Sequence, residues 1–222
     1  MRYPDDFINK VIQGDCLEVM RQIPDKCIDL VLTDPPYGLD IHKNNSSRGK
    51  LAVSKDYGIC EWDKRVPDLI YFKEMIRVSK NQIIFGGNYF TEYLKNSPCW
   101  IVWDKDNGLT DFADCELAWT SFNTAVRKVK FKWQGMLQGD MKNKDTRVHP
   151  TQKPVYVMKW ILNKYSQPTD LILDPFLGSG TTAVACKELE RNFIGVEISP
   201  EYCEIARKRI EMTNVQYEIE EV

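Results

Sequence analysis

Short apolar runs recur along the chain and alternate with segments whose apolar residues fall at helical spacing. The runs read as buried strands and the spaced segments as amphipathic helices. Lys10-Val11-Ile12-Gln13 is a short opening strand, turned by Gly14-Asp15. Asp15, with Glu18 three residues on, forms a capping-box pattern, and Leu17 and Met20 give that helix an apolar stripe. Pro24 stops it, and Ile28 to Thr33 is the next strand. Pro67 opens a helix with Leu69, Phe72 and Ile76 on one face. Gln82 to Phe85 is a buried strand ending at Gly86-Gly87-Asn88, where a short helix through Leu94 is expected. Residues 99–103 and 116–122 are aromatic-rich strands, expected as a hairpin at one sheet edge. Val155, Met158, Ile161 and Leu162 line a helix that ends near Gln167-Pro168. Leu171 to Asp174 is a strand, a helix runs through Ala183, Val184 and Leu189, and Asn192 to Glu197 is again a strand. Ser199 caps the last helix with Pro200 at its first position, and the acidic tail beyond is expected to fray. Strands alternating with helices predict an α/β domain.

Two stretches break the pattern. From Gly38 to about Arg65 the chain is polar, with Asn44-Asn45-Ser46-Ser47 and the basic residues Lys43, Arg48, Lys50 and Lys55. Loops this long are uncommon in compact domains. It reads as a solvated excursion or as a flap beside a site. Residues 123–148 carry Arg127, Lys128, Lys130, Lys132, Lys142, Lys144 and Arg147 against Asp140 and Asp145. Phe131 and Trp133 are interleaved, and Gly135 and Gly139 loosen the segment. Basic residues with aromatics among them fit a nucleic-acid footprint, the alternative being a solvated basic face. Residues 1–222 then form one domain: a first half at 10–122, the basic segment at 123–148 and a second half at 149–213.

Composition narrows the class. The chain has 222 residues, 43% hydrophobic and 28% charged, enough for one substantial core. A net charge of −2 means that any nucleic-acid role rests on a local patch. No apolar run approaches membrane-spanning length and no signal-peptide pattern opens the chain, so a cytoplasmic, membrane-free protein is expected. The 7 cysteines are scattered, odd in number and never spaced C-x-x-C, which reads as reduced thiols. With only His42 and His149 and no Cys/His cluster, no metal site is expected.

Two strand ends carry candidate chemistry. Asp34-Pro35-Pro36-Tyr37 follows the strand ending at Thr33. The prolines fix φ and hold Asp34 outside the helical region, so a carboxylate, a carbonyl and a flat ring share one rigid turn. That suits gripping an amino group on a flat heterocycle. The second end is Asp174-Pro175-Phe176-Leu177-Gly178-Ser179-Gly180-Thr181-Thr182, followed by a helix, a strand and the acid Glu197. Gly178 and Gly180 let a ligand lie against backbone, and the helix N-terminus faces it. Glu197, about 20 residues on, can accept ribose hydroxyls. The turn lacks the third glycine of a dinucleotide fingerprint and is no phosphate-cradling loop. A nucleoside ligand without pyrophosphate, such as S-adenosylmethionine, fits better.

In this order, Asp-Pro-Pro-Tyr at 34–37, Phe-Gly-Gly-Asn at 85–88, His-Pro-Thr-Gln-Lys-Pro at 149–154 and the turn at 174–182 resemble the S-adenosylmethionine-dependent DNA amino-methyltransferases. The acceptor motif precedes the basic stretch and the cofactor motif, as in the permuted β group of that family. The resemblance spans Gly14 to about Arg209. It implies a Rossmann-like methyltransferase fold, a mostly parallel seven-stranded sheet with one antiparallel strand, helices on both faces and a short inserted recognition segment. It implies that Asp34, Pro35, Pro36 and Tyr37 are catalytic. It places Asp174, Pro175, Phe176, Gly178, Ser179, Gly180 and Thr181 along the cofactor, Glu197 on its ribose and Asp15 near its adenine. Thr151 and Lys153 fall near its methionine end, with Gln152 where the family often has glutamate.

The implied reaction is methylation of an exocyclic amine in duplex DNA, with the target base flipped out and stacked on Tyr37. Arg127, Lys128, Lys130, Lys132, Lys142, Lys144 and Arg147, with the loop at 38–65, would hold the duplex. The short recognition arm suggests a short recognition sequence or a second subunit, so a homodimer is possible. Adenine N6 is the expected target, because the N4-cytosine members more often carry serine at the position of Asp34. RNA or protein-glutamine amines are further alternatives, the latter enzymes usually starting this motif with asparagine. A DNA-binding protein without turnover is the non-enzymatic alternative, disfavoured by the intact Asp34 and glycine turn.

Overall fold

The computed structural model describes residues 2–39, 65–108, 113–134, 137–148 and 151–214. Nearly all of the polar loop expected at 38–65 lies outside the described residues. So do Gly135, His149, Pro150 and the acidic tail beyond 214.

In chain order the strands are β1 (Lys10–Gln13), β2 (Ile28–Thr33), β3 (Ser79–Phe85), β4 (Trp100–Asp104), β5 (Cys115–Thr120), β6 (Arg127–Lys130), β7 (Trp133–Gln134), β8 (Leu137–Gln138), β9 (Leu171–Asp174) and β10 (Asn192–Glu197). The helices are α1 (Cys16–Met20), α2 (Leu69–Val78), α3 (Val155–Tyr165), α4 (Thr181–Glu188) and α5 (Pro200–Met212). Eight strands form one sheet in the order β1-β10-β9-β2-β3-β5-β4-β6, and β7 pairs with β8 in a separate hairpin. Among the described strands of this sheet, only β5 runs antiparallel to its neighbours.

The sheet thus has one strand more than the seven expected. The addition is β6, at the start of the basic segment. Its Val129 is buried while Arg127, Lys128 and Lys130 stay exposed, the alternation of an edge strand. The β4–β5 hairpin forms as expected, but its first strand is covered by β6.

Both faces of the sheet are buried. On β2, Leu30 and Leu32 enter one core and Val31 the other; on β9, Ile172 lies on one side and Leu171 and Leu173 on the other. Apolar runs such as Leu-Val-Leu arise this way, because successive side chains of a central parallel strand meet opposite layers. Buried residues of α1 and α2 join the Val31 side, and those of α3, α4 and α5 the Leu30 side.

Two local expectations change. The buried face of α2 is Phe72, Met75 and Val78; Met75 takes the inner position expected of Ile76, and Leu69 in the first turn is exposed. After β3 the chain makes only a 3-10 turn, Gly87–Tyr89, in place of a helix through Leu94. Gly86 takes a left-handed φ of 68°, and Tyr89 and Phe90 donate to carbonyls three residues back. Two adjacent glycines disfavour anything longer.

Candidate active site

Strands β2 and β9 are parallel neighbours, with Leu30 beside Ile172 and Val31 beside Leu173. Both turns singled out in the sequence therefore leave the same edge of the sheet, side by side. Thr33, the last residue of β2, donates its hydroxyl to Asp174 Oδ1 at 2.7 Å. At β9 the strand order reverses, with later strand β10 on one side and earlier strand β2 on the other. Ligands of open α/β sheets bind at such a switch point.

Asp34 sits at the tip of β2 with both carboxylate oxygens engaged. The Tyr37 hydroxyl donates to Oδ1 at 2.5 Å, and the Lys153 ammonium donates to Oδ2. Pro35 is buried and Pro36 half-buried. Burial pushes the Asp34 carboxyl above its usual range and the Glu116 anion adds to this, while Lys153 and Tyr37 oppose it. The Tyr37 ring stacks on Tyr89, with centroids 4.9 Å apart and planes at 16°, and meets Phe90 edge-on. A Cβ at Gly86 would stand 2.1 Å from Tyr37 Cε1, so the glycine makes room for the ring. Burial, then the Asp34 charge, raise the Tyr37 phenol well above its ordinary pKa, and it stays a donor.

The second turn is held by its own side chains. Asp174 Oδ1 accepts from Thr33 and from the Phe176 amide, and Oδ2 accepts from the Thr182 hydroxyl at 2.6 Å. Burial raises this carboxyl to about 6 despite those donors. Glu197, at the end of β10, accepts from the Gly178 amide at 2.8 Å and from the Ser199 amide at 2.7 Å. Ser179 and Thr181, expected to face a cofactor, are buried and tied to Arg209 of α5. Its guanidinium donates to the Ser179 carbonyl at 2.7 Å, the Ser179 hydroxyl at 3.0 Å and the Thr181 hydroxyl at 3.3 Å. Gly180 is left-handed at φ +88°, and a Cβ there would lie 2.8 Å from Ala206 Cβ. Gly178 has open space where a Cβ would project, and Phe176 is half-buried beside Tyr71. Asp15 is exposed; it caps α1 through the Leu17 amide and meets the Tyr71 hydroxyl at 3.3 Å. Glu18 pairs with Arg21, so the capping box is not completed.

Of the residues placed near the methionine end, Thr151 is half-buried and Lys153 is 6% exposed. Lys153 precedes α3 and lies on the acceptor side, against Asp34. Gln152 is buried, accepts from the Val148 amide and donates to the Thr146 carbonyl.

The basic segment is more structured and less uniformly free than its composition implies. On β6, Lys128 and Lys130 pair with Asp104 and Asp106 at 3.3 and 3.0 Å. Arg127, Lys142 and Lys144 are exposed, and Lys132 and Arg147 are half-buried. Phe131 stacks on Tyr156 of α3 and so belongs to the fold. Among the described residues no cluster of His, Cys, Asp or Glu could hold a metal, and no helix is long and apolar enough to cross a membrane.

Sequence reasoning missed Tyr89, Glu116, Lys105 and Arg209. Glu116 had no available signal, since an acid at the start of a strand, just before Leu117-Ala118-Trp119, reads as a solvent-facing position. Arg209 had none, since a basic residue near a helix C-terminus is ordinary.

A profile described as DNA methylase matches residues 95–208, about half of the chain. The chain is similar to the Type II methyltransferase M.HinfI of Haemophilus influenzae, 29% identical over 93% of this chain and 69% of that protein. It is also similar to the Type II methyltransferase M2.MboI of Moraxella bovis, 29% identical over 92% of this chain and 88% of that one. Among solved structures, the crystal structure of the M1.HpyAVI–SAM complex overlays with a TM-score of 0.55 at 25% identity, covering 91% of this chain and 99% of that one. The cytosine-N4-specific PvuII DNA methyltransferase overlays at 0.60 with 17% identity, over 93% of this chain and 87% of that one.

Proposed function

The chain belongs to the S-adenosylmethionine-dependent DNA amino-methyltransferases, and from that premise we propose that its target is the N6 amino group of adenine. The observation that carries this choice is Asp34 at the tip of β2, an acid where the cytosine-N4 members more often have serine. The fold shared with the cytosine-N4-specific neighbour does not weigh on the choice of base, because identity there is 17%.

The turn after β9 fits the cofactor of this family. Gly178 opens onto free space, and Glu197 keeps lone pairs for ribose hydroxyls after accepting from Gly178 and Ser199. Phe176, Asp15 and Tyr71 would flank the nucleoside. Asp174, Ser179 and Thr181 would shape the turn, since their polar atoms serve Thr33, Thr182 and Arg209. Bound there, S-adenosylmethionine supplies a methyl group on a sulfonium, ready for displacement.

The residues of the first turn then prepare the nucleophile. An exocyclic amine is a poor one, because its lone pair is delocalised into the ring. Asp34 Oδ1 accepts one N–H and the Pro35 carbonyl the other, which favours a pyramidal nitrogen with its lone pair directed at the methyl group. Holding both partners in line removes much of the barrier, and oriented acceptors stabilise the charge that develops on nitrogen. The Tyr37 hydroxyl holds the Oδ1 seat in the free protein, so an arriving amine displaces it. The target base leaves its stack to reach Asp34 and lies against the Tyr37–Tyr89 ring pair, with stacking of about 1–3 kcal/mol per base.

The test is transfer of labelled methyl groups to duplex DNA followed by nucleoside analysis. N6-methyladenine is expected, and N4-methylcytosine as the sole product would overturn the choice of base. Asp34→Ala should lower transfer by at least about 10²–10³-fold, the scale for losing a preorganised polar group, while cofactor binding by calorimetry stays near wild type. Retained turnover in that variant would remove Asp34 from the mechanism.

A further inference from the structure

One acidic side chain outside every sequence motif closes the acceptor turn from behind. Glu116 comes from β5, the antiparallel strand, and its side chain is 23% exposed. Its Oε1 pairs with Lys105 at 2.5 Å. Its Oε2 lies 3.1 Å from Lys153 Nζ, within ion-pair reach but without an aligned hydrogen bond. The same ammonium holds Asp34 Oδ2, flanked by the Phe85 and Tyr37 rings at 5.4 and 5.6 Å. One buried cation is therefore shared by two carboxylates, and the outer carboxylate is braced by a second cation.

A buried ammonium paired one-to-one with Asp34 would cancel most of the charge that makes the carboxylate a good acceptor. Sharing weakens that cancellation without releasing Oδ2. Resting on the methyl-transfer reading above, we propose that Glu116 is a positioning residue for the reaction: by drawing on the Lys153 ammonium it leaves more of the Asp34 charge uncancelled and the carboxylate a stronger acceptor, with Oδ2 fixed and Oδ1 presented to the target amine.

The charged surroundings give this clamp a signed signature. Asp34 faces Lys153 from the segment before α3, Glu116 from β5, the Tyr37 phenol from its own turn and Asp174 from β9. Glu116 faces Lys153 and, from the residue after β4, Lys105. Burial works against the Glu116 charge, but Lys153 and Lys105 overcome it and hold the carboxyl below its usual range. The Glu116 anion in turn pushes the Asp34 carboxyl up.

The experiment is single-turnover methyl transfer to DNA as a function of pH, with cofactor and DNA dissociation constants measured alongside. In Glu116→Gln the upward push on Asp34 is lost and Lys153 collapses onto it. The acid limb moves to lower pH and the plateau rate falls about tenfold, the equivalent of roughly one pKa unit of acceptor strength. In Lys105→Met, Glu116 draws harder on Lys153, and the acid limb moves to higher pH. Glu116→Asp keeps the anion and the wild-type limb. Both dissociation constants stay within about twofold in all three, because the clamp touches the amine's acceptor and not the cofactor turn. Limbs that do not move, or that move the same way in Glu116→Gln and Lys105→Met, overturn the clamp. If melting shows that Glu116→Gln does not fold, the upward limb of Lys105→Met decides alone. Wild-type protein that methylates no DNA overturns the underlying activity, a result distinct from active wild type with unmoved limbs.

Discussion

Burial makes Asp174 a stability probe as well as an anchor. Its carboxyl is raised from 3.8 to about 6 in the folded chain, so between those values the native state binds the proton that the unfolded state has lost. Stability from this group is present below its unfolded pKa and is lost as pH rises through about 6. At about 1.4 kcal/mol per unit the loss at neutral pH is on the order of 3 kcal/mol. Asp174→Asn keeps the shape and a carbonyl acceptor without the charge. Thermal melts should show it at least as stable as wild type at pH 8, with the advantage gone at pH 4. A variant less stable at both pH values would mean that the ionised carboxylate is worth more to Thr33 and Thr182 than its burial costs. At this scale the sequence was legible where chemistry sits in a turn. Asp34 and Glu197 announced themselves by ending strands. Glu116 did not, because an acid inside a strand reads as a solvent-facing position until its partners Lys105 and Lys153 are brought in from separate elements.

Elements hold these side chains by close approach of backbone to ring. The end of β3 touches the acceptor turn through Gly86, whose φ of +68° and contact with Tyr37 leave no place for a side chain. Gly86→Ala incurs about 1–2 kcal/mol for a left-handed alanine and must also expel the Tyr37 ring. Methyl transfer should fall about 100-fold, as a displacement near 1 Å at reacting groups would cause, with cofactor affinity little changed. Near-normal transfer would show that the Tyr37–Tyr89 stack is dispensable. The strands were readable because β1, β2, β9 and β10 are apolar on both faces and bounded by turn residues. The 3-10 turn after β3 and strand β6 were not. The stretch expected as a helix through Leu94 is irregular chain that buries Phe90 and Leu94, and the charges of β6 hid an edge strand with one buried residue, Val129.

At the scale of the molecule, a protein of net charge −2 must grip DNA through a patch. The ion pairs on β6 divide the basic segment, the candidate for that patch. Lys128 and Lys130 are already paired with Asp104 and Asp106, whereas Lys132, Lys142 and Lys144 have no acidic partner within salt-bridge reach among the described residues. Replacing the latter three with alanine should weaken DNA binding and reduce the slope of log affinity against log salt by about 0.9 per lost phosphate contact. Replacing Lys128 and Lys130 should do less, since each must first leave a carboxylate. Equal effects in a salt titration would mean that DNA opens both pairs. Architecture and the two facing turns followed from the order of the motifs; this division did not, because pairing across β4 and β6 depends on a register that composition does not encode.

The adjacency of β2 and β9 has a consequence for how such proteins can diversify. The two turns start from parallel strands whose spacing, about 4.8 Å, is a property of peptide geometry and not of any side chain. Thr33 and Asp174 then lock the two strand ends together. On the methyl-transfer reading proposed above, the gauge between methyl group and amine is in effect machined into the backbone. On the same reading, exchanging the exposed Lys142 and Lys144 would change the grip on DNA without recalibrating that gauge.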